Sequence, residues 1–333
     1  MSLAERSQPL IILGAACFGL VVGQAAGIAA LAEALILPLL MLMLTGAFLH
    51  VPLRRLGEVR RHGSVAALSL AINFIWTPLL AWLLGWLFLR HQPALWLGLI
   101  MLLATPCTDW YLVFTSIARG NLPLSMALLP VNLALQLLLL PVYLLLLAGA
   151  VVPLAWESIA LSAGQVLLLP LGAAVALRSA AQRWRGEAWL ALRVLPAIQP
   201  IQTTCLALAV AAMFAAQGSL IIQNPTIFLW LLAPLLAFYA INLGLALGLG
   251  RCLGMAYPNV ASLCCTTMAR NSPLALAVAL AAFPAQPLIA LTLVIVPLIE
   301  LPVLAMASQI LLRVRAGWRC GGKAIVPGTS HDN

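Results

Sequence analysis

Long apolar runs follow one another from one end of the chain to the other, each closed by arginine, proline or a cluster of polar residues. They fall at about 8–28, 34–52, 64–89, 93–118, 122–148, 153–177, 190–216, 224–250, 256–282 and 285–312. A helix rises 1.5 Å per residue and needs about 20 mostly apolar residues to cross the hydrocarbon of a bilayer. The pattern therefore predicts ten transmembrane helices joined by short connections. The first run follows a short polar head without a small-residue cleavage site, so it reads as the first span rather than as a removed signal peptide.

Composition fits this reading. Of 333 residues 64% are hydrophobic and 8% charged, against roughly 25% charged in a soluble domain. The whole length, 1–333, is expected to form one membrane transporter domain. A net charge of +9 could point to nucleic acid, but DNA-binding proteins carry basic patches on a soluble fold, whereas here the basic residues punctuate apolar runs. With the N-terminus placed inside, fifteen of the 17 basic residues fall on one side. Arg54, Arg55, Arg60, Arg61, Arg119, Arg178, Arg183, Arg185 and Arg251 lie in connections after even spans, and Arg193 at the inner start of the seventh. This asymmetry predicts cytoplasmic N- and C-termini in a plasma (inner) membrane. Seven cysteines, five of them inside apolar runs, imply no disulfide framework. With no CxxC, HExxH or phosphate loop in the sequence, neither a metal nor another cofactor is expected.

Ten spans with both ends inside divide into halves of five, and an odd number per half makes the second half run inverted. The expected repeats are 1–150 and 151–315, followed by a cytoplasmic tail, 316–333. Under this division the fourth and ninth spans correspond, and each holds its half's sharpest anomaly. One is Thr105-Pro106-Cys107-Thr108-Asp109; the other is Thr266-Thr267-Met268-Ala269-Arg270-Asn271-Ser272-Pro273. Proline removes a backbone donor and displaces a carbonyl, so Pro106 and Pro273 should break both helices near the midplane, where such transporters bind their solutes.

The candidate substrate-binding residues are accordingly Cys107, Thr108, Asp109, Arg270, Asn271 and Ser272. A charge at the bilayer centre costs about 2.5–3.5 kcal/mol on insertion scales, so Asp109 and Arg270 should face protein or water. They are expected to lie across one cavity, either as a functional pair that draws in an anion or as a structural pair that locks the crossing. Glu300, between Pro297 and Pro302 in the tenth span, reads as a proton or cation handle, or as an acceptor for amides freed at a helix break. Asn73, Asn132 and Gln136 form a polar core, as ligands or as interhelical contacts. Cys107 either presents its sulfur to the cavity or packs as a small apolar side chain. Cys264 and Cys265 point about 100° apart on a helix, so at most one should face the cavity with Arg270.

These strings also resemble a known family. Pro106-Cys107-Thr108, an apolar stretch and then Arg119-Gly120-Asn121 are similar to the fourth-helix signature of the arsenite permeases, Pro-Cys-Thr followed by a basic-Gly-Asp turn. Pro297-Leu298-Ile299-Glu300-Leu301-Pro302-Val303 resembles their tenth-helix Pro-Leu-Ile-Glu-Val-Pro-Val. Asn73 before Pro78, and Asn132 before Pro141, also look like family positions. The arsenite permeases share a superfamily with the bile acid sodium symporters. The resemblance implies ten helices in panel and core domains, with the fourth and ninth crossing. It implies further that Cys107 is the thiol of arsenite transport and Glu300 the tenth-helix carboxylate. The match departs in the ninth span, where Pro273 stands at the family glutamate and Asp109 at a usually apolar position. The glutamate and glutamine of the symporters' sodium site align with Thr266 and Arg270.

The reading is a secondary transporter that exports arsenite or a similar small anionic or metalloid solute, with protons as coupling ion and the lipid bilayer and no nucleic acid as partner. The alternatives are a bile-acid-symporter-like carrier of organic anions, a channel, or a membrane-embedded enzyme; the sequence leaves the oligomeric state open. The orientation is testable. A cysteine introduced beside Arg183 should stay unlabelled by an impermeant thiol reagent in intact cells and react after permeabilisation.

Overall fold

The computed structural model describes residues 3–25, 27–50, 63–108, 110–148, 156–223, 226–320 and 323–324. Asp109 and the arginines at 54, 55, 60 and 61 lie outside the described residues, as does most of the tail expected at 316–333. The described chain is almost wholly helical. α1 (Leu3–Val22) and α2 (Ile28–Leu49) are separated by a turn whose Gly27 has φ 84°, a left-handed conformation that costs glycine nothing. Then come α3 (Gly63–Leu89), α4 (Pro93–Leu103), α5 (Trp110–Ile117) and α6 (Leu122–Leu147). α7 (Trp156–Trp189), α8 (Leu195–Gln223), α9 (Thr226–Cys252), α10 (Tyr257–Met268), α11 (Ser272–Ala282) and α12 (Pro287–Ala316) complete the set. A short ribbon, β1 (Arg319–Cys320) with β2 (Lys323–Ala324), follows.

Among the described residues six apolar helical stretches are long enough to cross a membrane: α2, α3, α6, α9, α12 and the 55 residues Gly164–Gly218. The arginine-bearing connection expected at 178–189 lies within the last of these: helix runs into it from α7, and Gly186, outside helical geometry (φ 80°, ψ 168°), kinks the chain before a π-turn, Leu190–Val194, leads into α8. Alongside a large apolar core, α3 turns polar side chains inward and large apolar ones outward. On α3, Ser69, Asn73 and Thr77 recur every four residues and are fully buried, while Leu79, Leu83 and Trp86 are exposed. Apolar side chains outward and polar ones inward is the arrangement that a lipid solvent imposes.

Prolines shape the helices locally. Pro78 cannot donate to the carbonyl of Phe74, four residues back. α3 widens there into a π-turn, Ile72–Trp76, and the released Phe74 oxygen accepts the Tyr143 hydroxyl of α6 at 2.6 Å. In α12, Pro297 releases the carbonyl of Leu293, which accepts the Ser272 hydroxyl at the start of α11. Backbone strain in one helix thus becomes a bond to another.

Two packed groups result. α1 and α2 lie along α8, and α2 also lies along α7; α3, α4, α5, α6, α9, α10 and α12 pack on one another. α11 touches α2 and α7 on one side and α4 and α12 on the other, so the seam runs past it. Within the first group α1 approaches α8 through glycines. A Cβ on Gly19 would lie 2.1 Å from the Ala211 carbonyl oxygen, and one on Gly23 would lie 2.2 Å from that of Ala215. Small residues at such faces let transmembrane helices pack backbone to backbone. Gly19→Ala and Gly23→Ala should each destabilise the protein by about 1–3 kcal/mol through overpacking, read as a lower Tm. Gly14→Ala, into open space, should cause no loss.

Candidate functional site

The site is built where α4 and α10 stop. Thr105 ends α4 by turning its hydroxyl back to the carbonyls of Met101 (3.1 Å) and Leu102 (2.8 Å). Pro106 follows, without an N–H to extend the helix. Thr267 does the same in the last turn of α10, donating to Leu263 O (2.7 Å) and Cys264 O (3.3 Å). Ala269 then leaves α10 in an extended conformation, φ −72° and ψ 137°. α4 and α10 therefore stop at the two strings that stand out in the sequence, before α5 and α11 begin.

The two breaks bond to each other. The Cys107 amide donates to Ala269 O at 3.0 Å and the Asn271 amide to Thr105 O at 2.8 Å, a single antiparallel bridge between Pro106 and Arg270. Ala269 O is the carbonyl that Pro273 leaves without a helical donor. Asn271 then caps α11, its side-chain oxygen accepting from Leu274 N at 3.2 Å, the usual use of asparagine at a helix start. Asn121 caps α6 in the same way at 3.1 Å.

Arg270 is 2% exposed. Its Nη1 donates to Leu103 O at 3.0 Å, and its Nη2 to Asn73 Oδ1 at 3.1 Å and to Thr267 O. The guanidinium lies over the Phe238 ring, 5.1 Å from its centroid. Glu300, 4% exposed, takes the Arg270 amide on Oε1 at 2.7 Å. It therefore does what one of its two sequence readings expected, satisfying an amide freed at a break. The other reading, a proton handle, is open alongside it, as is the pairing with Asp109, which lies outside the described residues.

Asn73 thus joins the Arg270 cluster. Asn132 donates to Thr266 Oγ1 at 3.5 Å, and the buried Gln136 amide has no partner among the described residues. Cys107, Thr108, Arg270, Asn271, Ser272 and Glu300 share one cavity of about 70 Å³, closed on its other side by Leu40, Met43 and Leu44 of α2 and Val210 of α8. Pro273 is in its wall as well, while Cys264 and Cys265 are buried outside it. Sequence reasoning did not find the Leu103 carbonyl, the Phe238 ring or the α2 wall. A carbonyl carries no sequence signal, and Phe238, Leu40 and Met43 look like any apolar residue in a span.

A multi-pass membrane protein with a solute-sized cavity at the meeting of two broken helices has the makings of a carrier. Residues 37–224, more than half the chain, match the Sodium Bile acid symporter family, and the chain belongs to that family. It is a secondary transporter, not an enzyme. Among similar proteins, the Arsenical-resistance protein Acr3 of Corynebacterium glutamicum is 29% identical over 323 residues, covering 91% of this chain and 87% of its own. The Uncharacterized transporter slr0944 of Synechocystis sp. is 29% identical over 214 residues, covering 64% of this chain and 56% of its own.

The Glu300 contact has a measurable consequence. Leaving a buried amide without an acceptor costs about 1–3 kcal/mol. Glu300→Ala should lower stability by that amount, whereas Glu300→Gln, which keeps an acceptor oxygen, should lower it less; thermal melting of the two purified variants checks this.

Proposed function

We propose that this protein is an arsenite-permease-like carrier that exports arsenite, or a similar small trivalent oxyacid, across the plasma (inner) membrane in exchange for protons. The observation that carries the reading is Cys107 in the wall of a small cavity, beside Thr108, Asn271 and Ser272 and within the same cavity as Glu300. Sulfur is the soft donor that suits a thiophilic centre such as trivalent arsenic. The hydroxyl and amide groups supply hydrogen bonds to its oxygens. Where Cys107 bonds the solute, the thiol displaces one hydroxide from As(OH)₃: an As–S bond forms, an As–O bond breaks, and the thiol proton leaves with the hydroxide as water. Hydrolysis reverses the step and frees the solute.

Size favours the same class. A cavity of about 70 Å³ has room for roughly five waters, which suits a small oxyacid better than a sterol-sized anion. The α11 N-terminus is also at this cavity, through Asn271, Ser272 and Pro273, and a half-helix N-terminus favours electron-rich oxygen. Glu300 is the proton-responsive group of this reading.

The remaining architecture follows as part of the same proposal. α4 with α5 makes one span and α10 with α11 another, Gly164–Gly218 makes two, and α1 completes ten. These divide into inverted halves, 1–150 and 151–315, with both termini cytoplasmic and 316–333 as a tail. α1, α2, α7 and α8 form the panel and the remaining helices the core, and the solute crosses as the two move along their seam.

Flux into sealed vesicles tests the function. Arsenite movement should follow an imposed pH gradient, be indifferent to replacing sodium by choline, and fall at least tenfold in Cys107→Ser, with that variant still in the membrane. Unchanged arsenite flux in Cys107→Ser, or transport of taurocholate in preference to arsenite, would sink this reading in favour of an organic-anion carrier.

A further inference from the structure

The Arg270 guanidinium sits among three oxygens that lie within reach of one small volume. Leu103 O belongs to the last turn of α4, Thr267 O to the last turn of α10, and Asn73 Oδ1 comes from α3. A helix C-terminus carries about half a negative charge on its unpaired carbonyls. Two helices end here, so their carbonyls together balance about one positive charge. The face of the Phe238 ring, at 5.1 Å, is a further cation-attracting surface. Asn73 and Arg270 are buried, at 0% and 2% exposure, so water contributes little to the balance.

Carriers with broken helices hold monovalent cations through such groups: half-helix C-terminal carbonyls and the oxygens of unwound backbone. We propose that Arg270 is a built-in cation, filling a monovalent-cation site at the crossing of the broken helices, and that sodium or a small free guanidinium enters that site when the side chain is removed. The class is monovalent because the three oxygens are two carbonyls and one amide, none of them charged. The nearest carboxylate described, Glu300, spends Oε1 on the Arg270 amide. The consequence, a transport cycle that needs no sodium, rests on the carrier reading above; the site itself does not.

An alternative role for the same side chain is to anchor an anionic solute from the cavity that it helps to line. The geometry weighs against this as its main role: three of the five guanidinium N–H groups are on protein oxygens, and the buried Nε is the one guanidinium nitrogen without a partner among the described residues. An arginine held by two helix ends and a side-chain amide is placed to complete the crossing rather than to travel with a solute.

Thermal melting of the purified protein tests the site without any transported solute. Wild type, Arg270→Ala and Arg270→Gln would be melted at constant ionic strength in choline, sodium and millimolar methylguanidinium chloride. Wild type should melt at one temperature in all three. Arg270→Ala should melt several degrees lower in choline and recover, saturably, in sodium or methylguanidinium; Arg270→Gln, which fills more of the volume without the charge, should recover in sodium. Variants that can be purified in sodium but not in choline would give the same answer. The proposal is overturned if both variants ignore both cations, if neither can be purified in any of the salts, or if sodium raises the wild-type melting temperature as much as theirs. Because the readout is melting, a failure of arsenite flux leaves it untouched, and its own failure leaves the transported solute undecided.

Discussion

Two backbone hydrogen bonds, Cys107 to Ala269 and Asn271 to Thr105, hold together the part of this protein on which the rest depends. A helix broken inside hydrocarbon leaves unpaired amides and carbonyls, and no lipid can satisfy them. One break alone would carry that cost in full. Two breaks placed face to face satisfy each other, so neither helix's interruption is stable without the other. The side chains complete what the bridge begins: Glu300 takes the Arg270 amide, and the Arg270 guanidinium takes the terminal carbonyls of both half-helices.

The same accounting extends to three prolines, two inside helices and one, Pro273, in the first turn of α11. Each removes a donor four residues ahead of a carbonyl, and the three carbonyls are met by groups from elsewhere. Phe74 O is met by the Tyr143 hydroxyl, Leu293 O by the Ser272 hydroxyl, and Ala269 O by the Cys107 amide. Between helices in a membrane, where lipid is as apolar as leucine, hydrogen bonds and close backbone contact specify packing. Prolines thus supply acceptors at defined heights, and glycines such as Gly19 and Gly23 supply the close approach.

The cavity lies where two differently built walls meet. Its polar wall comes from the crossing, and its apolar wall comes from α2 and α8. In the proposed carrier the polar wall gives recognition and the apolar wall parts from the solute without breaking hydrogen bonds. Membership of the Sodium Bile acid symporter family sets the class of transport. At this crossing the chain places an arginine among helix-terminal carbonyls and a cysteine beside the proline, and in the proposed function it is the cysteine that meets the solute.

The amino-acid sequence alone determined the membrane environment, the two broken helices and most of the residues that share the cavity. Long apolar runs, Thr-Pro and Ser-Pro interruptions at matching spans, and isolated intramembrane charges act through local chemistry, and local chemistry is written residue by residue. It left open which partner each buried charge would find. Glu300 could have been a proton handle or an amide acceptor, and only the approach of α12 to the 269–271 break put its oxygen on the Arg270 amide. Arg270 could have faced an anion, and only the convergence of the α4 and α10 ends with Asn73 surrounded its guanidinium with oxygen. Those partners are backbone carbonyls and residues up to 197 positions apart, and a carbonyl is the same at every position in a sequence; the tertiary fold alone decides which of them meet.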